Sequence, residues 1–169
     1  TINGGASFTL RSGDPVCPII YGMAFKDENT GIAGGGMSGA EPGLFKTTDG
    51  GVTWTRKYTG DCNTVLHMSG TEWLSIHRAL VIRSTNNGES WSQIGFAPTG
   101  FGQMVKVGNS GRLAGVSVDG AASISDDGGI SWTLTLIPIG NFGVGEWDIH
   151  FADSLNGVVS GQGGTIYLT

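Results

Sequence analysis

The stretch TTDGGVTW, Thr47 to Trp54, returns as STNNGESW, Ser84 to Trp91, and as SDDGGISW, Ser125 to Trp132. A weaker copy, TINGGASF, occupies Thr1 to Phe8. Each copy has a hydroxyl residue, then Asp or Asn, then Gly, then a second hydroxyl residue followed by an aromatic. The members are Thr47, Asp49, Gly51, Thr53 and Trp54; Ser84, Asn86, Gly88, Ser90 and Trp91; Ser125, Asp127, Gly129, Ser131 and Trp132; and Thr1, Asn3, Gly5, Ser7 and Phe8. A carboxylate or amide in a tight turn accepts hydrogen bonds from backbone NH groups just downstream, and glycine supplies the positive φ that closes it. The aromatic opens the next strand and folds back beneath the turn, so the phrase reads as a structural staple.

Working outward, the aromatics recur at intervals of about 40 residues, the length of one propeller blade. Short apolar or alternating runs surround each copy, and no segment keeps a helical period over two turns. IIYGMAF, GIAGG, GLFKT and TWTRKY read as four strands of one unit. TVLHM, EWLSIH, ALVIRS and SWSQIG read as a second unit, and GQMVKV, RLAGVSV, AASIS and SWTLTLI as a third. A further unit opens at EWDIHFADSLNGVV, which matches FKDENTGIA of the first, and its three strands end at Thr169.

The expected fold is therefore all-β, a β-propeller of four-stranded antiparallel blades in a single domain. Residues 17–60, 61–97 and 98–138 form three blades and residues 146–169 three strands of a fourth. Residues 1–11 supply that blade's outer strand, so the fourth blade is split between the two ends of the chain.

Composition narrows the function. Of 169 residues 31 are glycine and 14% are charged, and the formal net charge is −5. Nine basic residues are scattered along the chain, only Arg56 and Lys57 adjacent, with no stripe to gather phosphates, so nucleic acid is not an expected partner. No apolar run approaches the roughly 20 residues of a spanning helix. The first residue is Thr, which reads as a processed form or a slice of a longer chain. Low charge and two cysteines suggest an extracellular setting. Cys17 and Cys62 stand at equivalent handover points of successive units, and a disulfide between them is expected, with free buried thiols as the alternative.

The repeated phrase resembles the Asp box, or BNR repeat, of sialidase-type β-propellers, which also occurs in sortilin ectodomains and xyloglucan-degrading glycoside hydrolases. In style, with F-x-D-x-x-x-G before the box, the units look most like those of photosystem II assembly factors, over nearly the whole chain. The resemblance implies architecture and leaves chemistry open. A sialidase would need an arginine trio, a Tyr nucleophile with a Glu partner and an Arg-Ile-Pro opening, and the opening is not in this sequence. Paired catalytic carboxylates across a cleft are the requirement of a glycoside hydrolase. Here Asp126 and Asp127 are adjacent, and Asp127 belongs to the box.

His67, His77 and His150 fall in separate segments without metal-ligand spacing, so neither a metal nor another cofactor is expected. Candidate ligand-binding residues are the non-box aromatic Trp73 with His77, and Trp147 with Asp148 and His150; core between blades is the alternative for the tryptophans.

These readings converge on a non-enzymatic, extracellular structural or binding module. Residues 1–11 either close the chain's own ring or complement a neighbouring copy, which would make it a subunit of an oligomer or fibre. A protein or glycan ligand is the other expected partner. The alternative is a glycan- or protein-binding fragment of a larger propeller, such as a glycoside hydrolase or an assembly factor.

Overall fold

The computed structural model describes residues 5–8, 19–36, 41–98, 101–108, 111–117, 121–136, 148–161 and 164–169. Among these residues the regular elements are strands. The first sheet runs β1 (Ile20–Phe25), β2 (Gly31–Gly35), β3 (Gly43–Thr47) and β4 (Thr55–Thr59). The second runs β5 (Cys62–Ser69), β6 (Glu72–His77), β7 (Leu80–Ser84) and β8 (Ser92–Phe96). The third has β9 (Phe101–Val107), β10 (Arg112–Ser117), β11 (Ala121–Ser125) and β12 (Thr133–Leu136), and a fourth has β13 (Asp148–Phe151), β14 (Gly157–Gly161) and β15 (Thr165–Leu168).

Within each sheet, neighbours in space are neighbours in sequence, and every pairing is antiparallel. The inner strands touch in succession, β1 with β5, β5 with β9 and β9 with β13. The second and third sheets are thus flanked on both faces, which explains why β6 is buried at its four central positions; β2 and β3 of the first sheet are buried at every position as well. The outer strands β4 and β8 are largely open to solvent.

Burial follows one rule at the three interfaces between successive sheets. Val65 of β5 packs with Ile32 and Leu44 of the first sheet. Met104 of β9 packs with Leu74 and Val81 of the second, and Ile149 of β13 with Ala114 and Ala122 of the third. Fully burying such a side chain contributes about 1.5–3 kcal/mol. The ladder registers place these residues at equivalent positions. Ile32 faces Lys46, Leu74 faces Arg83 and Ala114 faces Ile124, each one residue before the first hydroxyl of a box.

Of the fourth blade, three strands are described. Thr169 stands where Thr47 does in the first sheet: its NH donates to the Gly157 carbonyl at 3.0 Å and its hydroxyl accepts from the Gly157 NH at 2.9 Å. The expected outer strand, residues 1–11, lies outside the described residues except for Gly5–Phe8. In that fragment Gly5 has φ +93°, beside +89° at Gly51, +80° at Gly88 and +96° at Gly129. A Cβ built on Gly5 would lie 3.9 Å from the Phe8 ring, and one on Gly51 would lie 3.5 Å from the Trp54 ring, so Gly5 and Phe8 share the glycine-to-aromatic placement of the first box.

Candidate binding site

The three complete boxes are superimposable networks. In the first, the Thr47 hydroxyl donates to Asp49 Oδ1 at 2.8 Å and accepts from the Gly51 NH at 2.9 Å. Asp49 accepts from the Thr53 NH at 2.9 Å and the Thr53 hydroxyl at 2.6 Å, and Trp54 Nε1 donates to the Gly51 carbonyl at 3.1 Å. Ser125, Asp127, Gly129, Ser131 and Trp132 repeat every one of these bonds.

In the second box Asn86 substitutes for the acid. Its Oδ1 accepts from Ser84 and from the Ser90 NH, while its Nδ2 donates to the Ser90 hydroxyl at 2.8 Å. Hydrogen bonds to the ionised form, led by the Thr53 and Ser131 hydroxyls, hold Asp49 and Asp127 down to about 2. Carboxylates fixed in that state are hydrogen-bond acceptors for their own turn.

The second and third boxes also reach their preceding sheets. A Cβ on Gly129 would meet Val81 and Leu74 of the second sheet, and a Cβ on Gly95 of β8 would collide with the Ile130 carbonyl of the third box. Trp91 packs against the interface of the first and second sheets, and Trp132 against that of the second and third. Glu89, on the second box turn, is paired with Lys46 and Lys57 of the first sheet at 2.6 and 2.7 Å.

At the interface of the third and fourth sheets the same place is a cleft of about 510 Å³. Ala122, Ile124 and Thr135 line it from the third sheet, and Ile149, Phe151 and Val159 from the fourth. Ala122, in the wall of the cleft, occupies the position of Leu44 and Val81, and Ala114, buried in the same interface, that of Ile32 and Leu74, so two small residues leave this interface less filled. Arg112 also lines it, its Nε 2.9 Å from Asp126. Phe8, the aromatic of the weak box copy, is 82% exposed. Sequence reasoning missed this cleft; the two alanines at positions filled by larger residues in the other units were its available signal.

The sequence-derived candidates separate. Trp73 is fully buried, with Nε1 3.3 Å from Asn87 Oδ1 and its ring centroid 4.7 Å from that of His67. It cannot stack on a ligand, because its register places it opposite Ser84, where Gly31 stands opposite Thr47 and Leu113 opposite Ser125. His77 is engaged by the Tyr58 hydroxyl, 2.9 Å from Nδ1. Asp148 accepts from Gln103 Nε2 at 3.0 Å, and His150 lines a smaller hollow with Asn156 and Val158. Trp147 lies outside the described residues.

Cys62 is a free thiol, fully buried, and burial pushes it up to about 12. The disulfide expected with Cys17 is not seen, and Cys17 lies outside the described residues. Among the described residues no three His, Cys, Asp or Glu side chains gather as a metal site, and no helix is long and apolar enough to cross a membrane.

Four antiparallel sheets in sequential contact, stapled by repeated boxes, define an Asp-box β-propeller architecture. The family model described as BNR/Asp-box repeat matches residues 123–134. Among solved structures, the chain is similar to YCF48 bound to D1 peptide, with 22% identity and a TM-score of 0.61 over 88% of this chain and 52% of that one. It is similar to the GH74 enzyme of Niastella koreensis, with 20% identity and a TM-score of 0.59 over 89% of this chain and 22% of that one. The computationally designed Ika4 protein aligns with 12% identity and a TM-score of 0.61 over 89% of this chain and 90% of that one. The chain spans about half the length of the YCF48 structures it matches. No significant match was found among curated proteins.

Proposed function

We propose that the chain is a non-enzymatic binding and assembly module, and that its cleft between the third and fourth sheets receives a polypeptide segment built like an Asp box. The observation that carries this reading is positional. The cleft occupies the place that the turns and tryptophans of the second and third boxes fill at the two preceding interfaces. Its lining is mainly apolar, suited to an aromatic anchor on an added strand.

The segment is residues 1–11, from the same chain or from a neighbouring copy, with Phe8 as the anchor. The box-like geometry at Gly5 and Phe8 supports this assignment. In the neutral-polar, low-charge composition we also find support for work outside the cell. Detection of the native protein in the cytosol alone would reject that part.

Removing residues 1–11 and titrating back the peptide TINGGASFTLR tests the cleft. Saturable binding that restores thermal stability, and that is lost when the peptide carries Phe8→Ala, is the expected result. No binding, together with unchanged stability of the shortened chain, would overturn it. Hydrolysis of any glycan by the chain would overturn the non-enzymatic assignment.

A second reading has a specific support: the four sheets align with about half of YCF48, whose structure contains a D1 peptide. On this reading the chain is part of a larger peptide- or glycan-binding propeller. Peptide and glycan arrays probed with the chain separate the two ligand classes.

A further inference from the structure

We propose that two copies of this chain associate end to end into a closed pair, β1 of each copy packing on the face formed by β14 and β15 of the other. This goes beyond the strand-receiving cleft, because it rests on the faces of the terminal sheets.

The argument comes from position. Val65, Met104 and Ile149 are equivalent residues of the inner strands, each opposite the second residue beyond the one that faces a box hydroxyl. All three are at most 4% exposed because each inserts into the preceding sheet. Met23 of β1, paired with Ala33, holds the same position and is 54% exposed, with Tyr21 and Phe25 exposed beside it on the same strand face.

The other end of the array shows the converse. Ile32 and Leu44, Leu74 and Val81, and Ala114 and Ala122 are the pairs that receive those inner-strand residues, none more than 9% exposed. Val158 and Ile166 are the corresponding pair in the fourth sheet, opposite Leu168 and Ser160. They are 38% and 71% exposed, and Leu168 extends the same apolar face.

The chain therefore ends in the two complementary halves of an interface that it forms three times internally. Both halves stand exposed in one molecule, so its own Met23 does not fill the Val158 and Ile166 face. A second copy carries the matching half at the matching spacing, continuing the internal interface. Head-to-tail contact at both ends closes the pair around a two-fold axis and leaves no apolar face over. Eight sheets then form one ring. Residues 1–8 precede β1 as the first box precedes β5, so the copy that offers Met23 also brings its Phe8 toward the partner's cleft.

The test is the solution mass of the full chain by size exclusion with light scattering over a wide concentration range. Twice 17.5 kDa is expected. Met23→Glu and Ile166→Glu should each give particles of 17.5 kDa with the circular dichroism of the parent. Mixing the two variants should regenerate the pair, since one of its two contacts is then intact. Should Met23→Glu fail to fold, Tyr21→Glu serves in its place.

A mass of 17.5 kDa at every concentration overturns the proposal, as does a ladder growing beyond two copies or a pair indifferent to both substitutions. None of these outcomes bears on peptide capture by the shortened chain, so the cleft reading and this one fail separately.

Discussion

Glu89 and Lys46 are ion-paired at 2.6 Å across the interface of the first and second sheets, and the Lys46 side chain is only 6% exposed. The lysine ammonium is held where water scarcely reaches, and its counter-ion comes from a box turn in the next repeat. Glu89 lies below the ordinary carboxylate range, first because of the hydrogen bond from Lys46 and then of that from Lys57.

Glu89→Ala should therefore destabilise the fold by about 1–3 kcal/mol, the cost of leaving a buried polar group without its partner. Glu89→Val should cost no less, because Lys46 keeps its charge. Chemical denaturation of both variants checks this, and the double variant with Lys46→Met should recover part of the loss.

Acid should weaken the first and third boxes together. Asp49 and Asp127 fall from 3.8 to about 2 in the folded chain, so their hydrogen bonds contribute stability above pH 3.8 that is lost as pH drops toward about 2. Asn86 makes the same contacts with nothing to titrate. Combining Asp49→Asn with Asp127→Asn should flatten the thermal midpoint across that window while leaving it close to the parent at neutral pH. Melting curves from pH 2 to pH 7 measure the difference.

Trp132→Ala should cost about 2–3 kcal/mol, from the apolar surface the ring covers beside Leu74 and Met104. Trp132→Phe should keep most of that and lose only the Nε1 bond to the Gly129 carbonyl. Urea denaturation of the pair separates packing from hydrogen bonding.

Cys62 should resist thiol reagents in the native, reduced protein, since it is fully buried and its thiolate is disfavoured. Peptide mapping after brief alkylation should find Cys62 unmodified until denaturant is added.

The box was legible because its chemistry is local: eight residues contain every donor and acceptor of the turn, and the same spacing returns at Thr47, Ser84 and Ser125. Strand content was legible for a related reason, since turns punctuate the chain at short intervals. What the sequence concealed depends on register between distant strands. Trp73 stays open between ligand platform and inter-blade core until its pairing with Ser84 aligns it with Gly31, and the structure places it in the core. The cleft is hidden likewise, because Ala114 and Ala122 mean nothing until they are superimposed on Leu74 and Val81. Cys62 behaves the same way: its position beside the sheet handover was readable, but its enclosure by Val65 and Trp73 was not.

Among the described residues, each sheet is assembled from strands consecutive in the chain. The loops that must close during folding are therefore short, and a single repeat can be formed before the next is complete, which favours fast, stepwise folding over a search among distant partners. The same arrangement makes the repeat a unit of inheritance. One sheet can be duplicated or deleted at the handovers between sheets, such as that from β4 to β5, without breaking a hydrogen bond inside any other, so the length of the array is free to change while its staples stay intact.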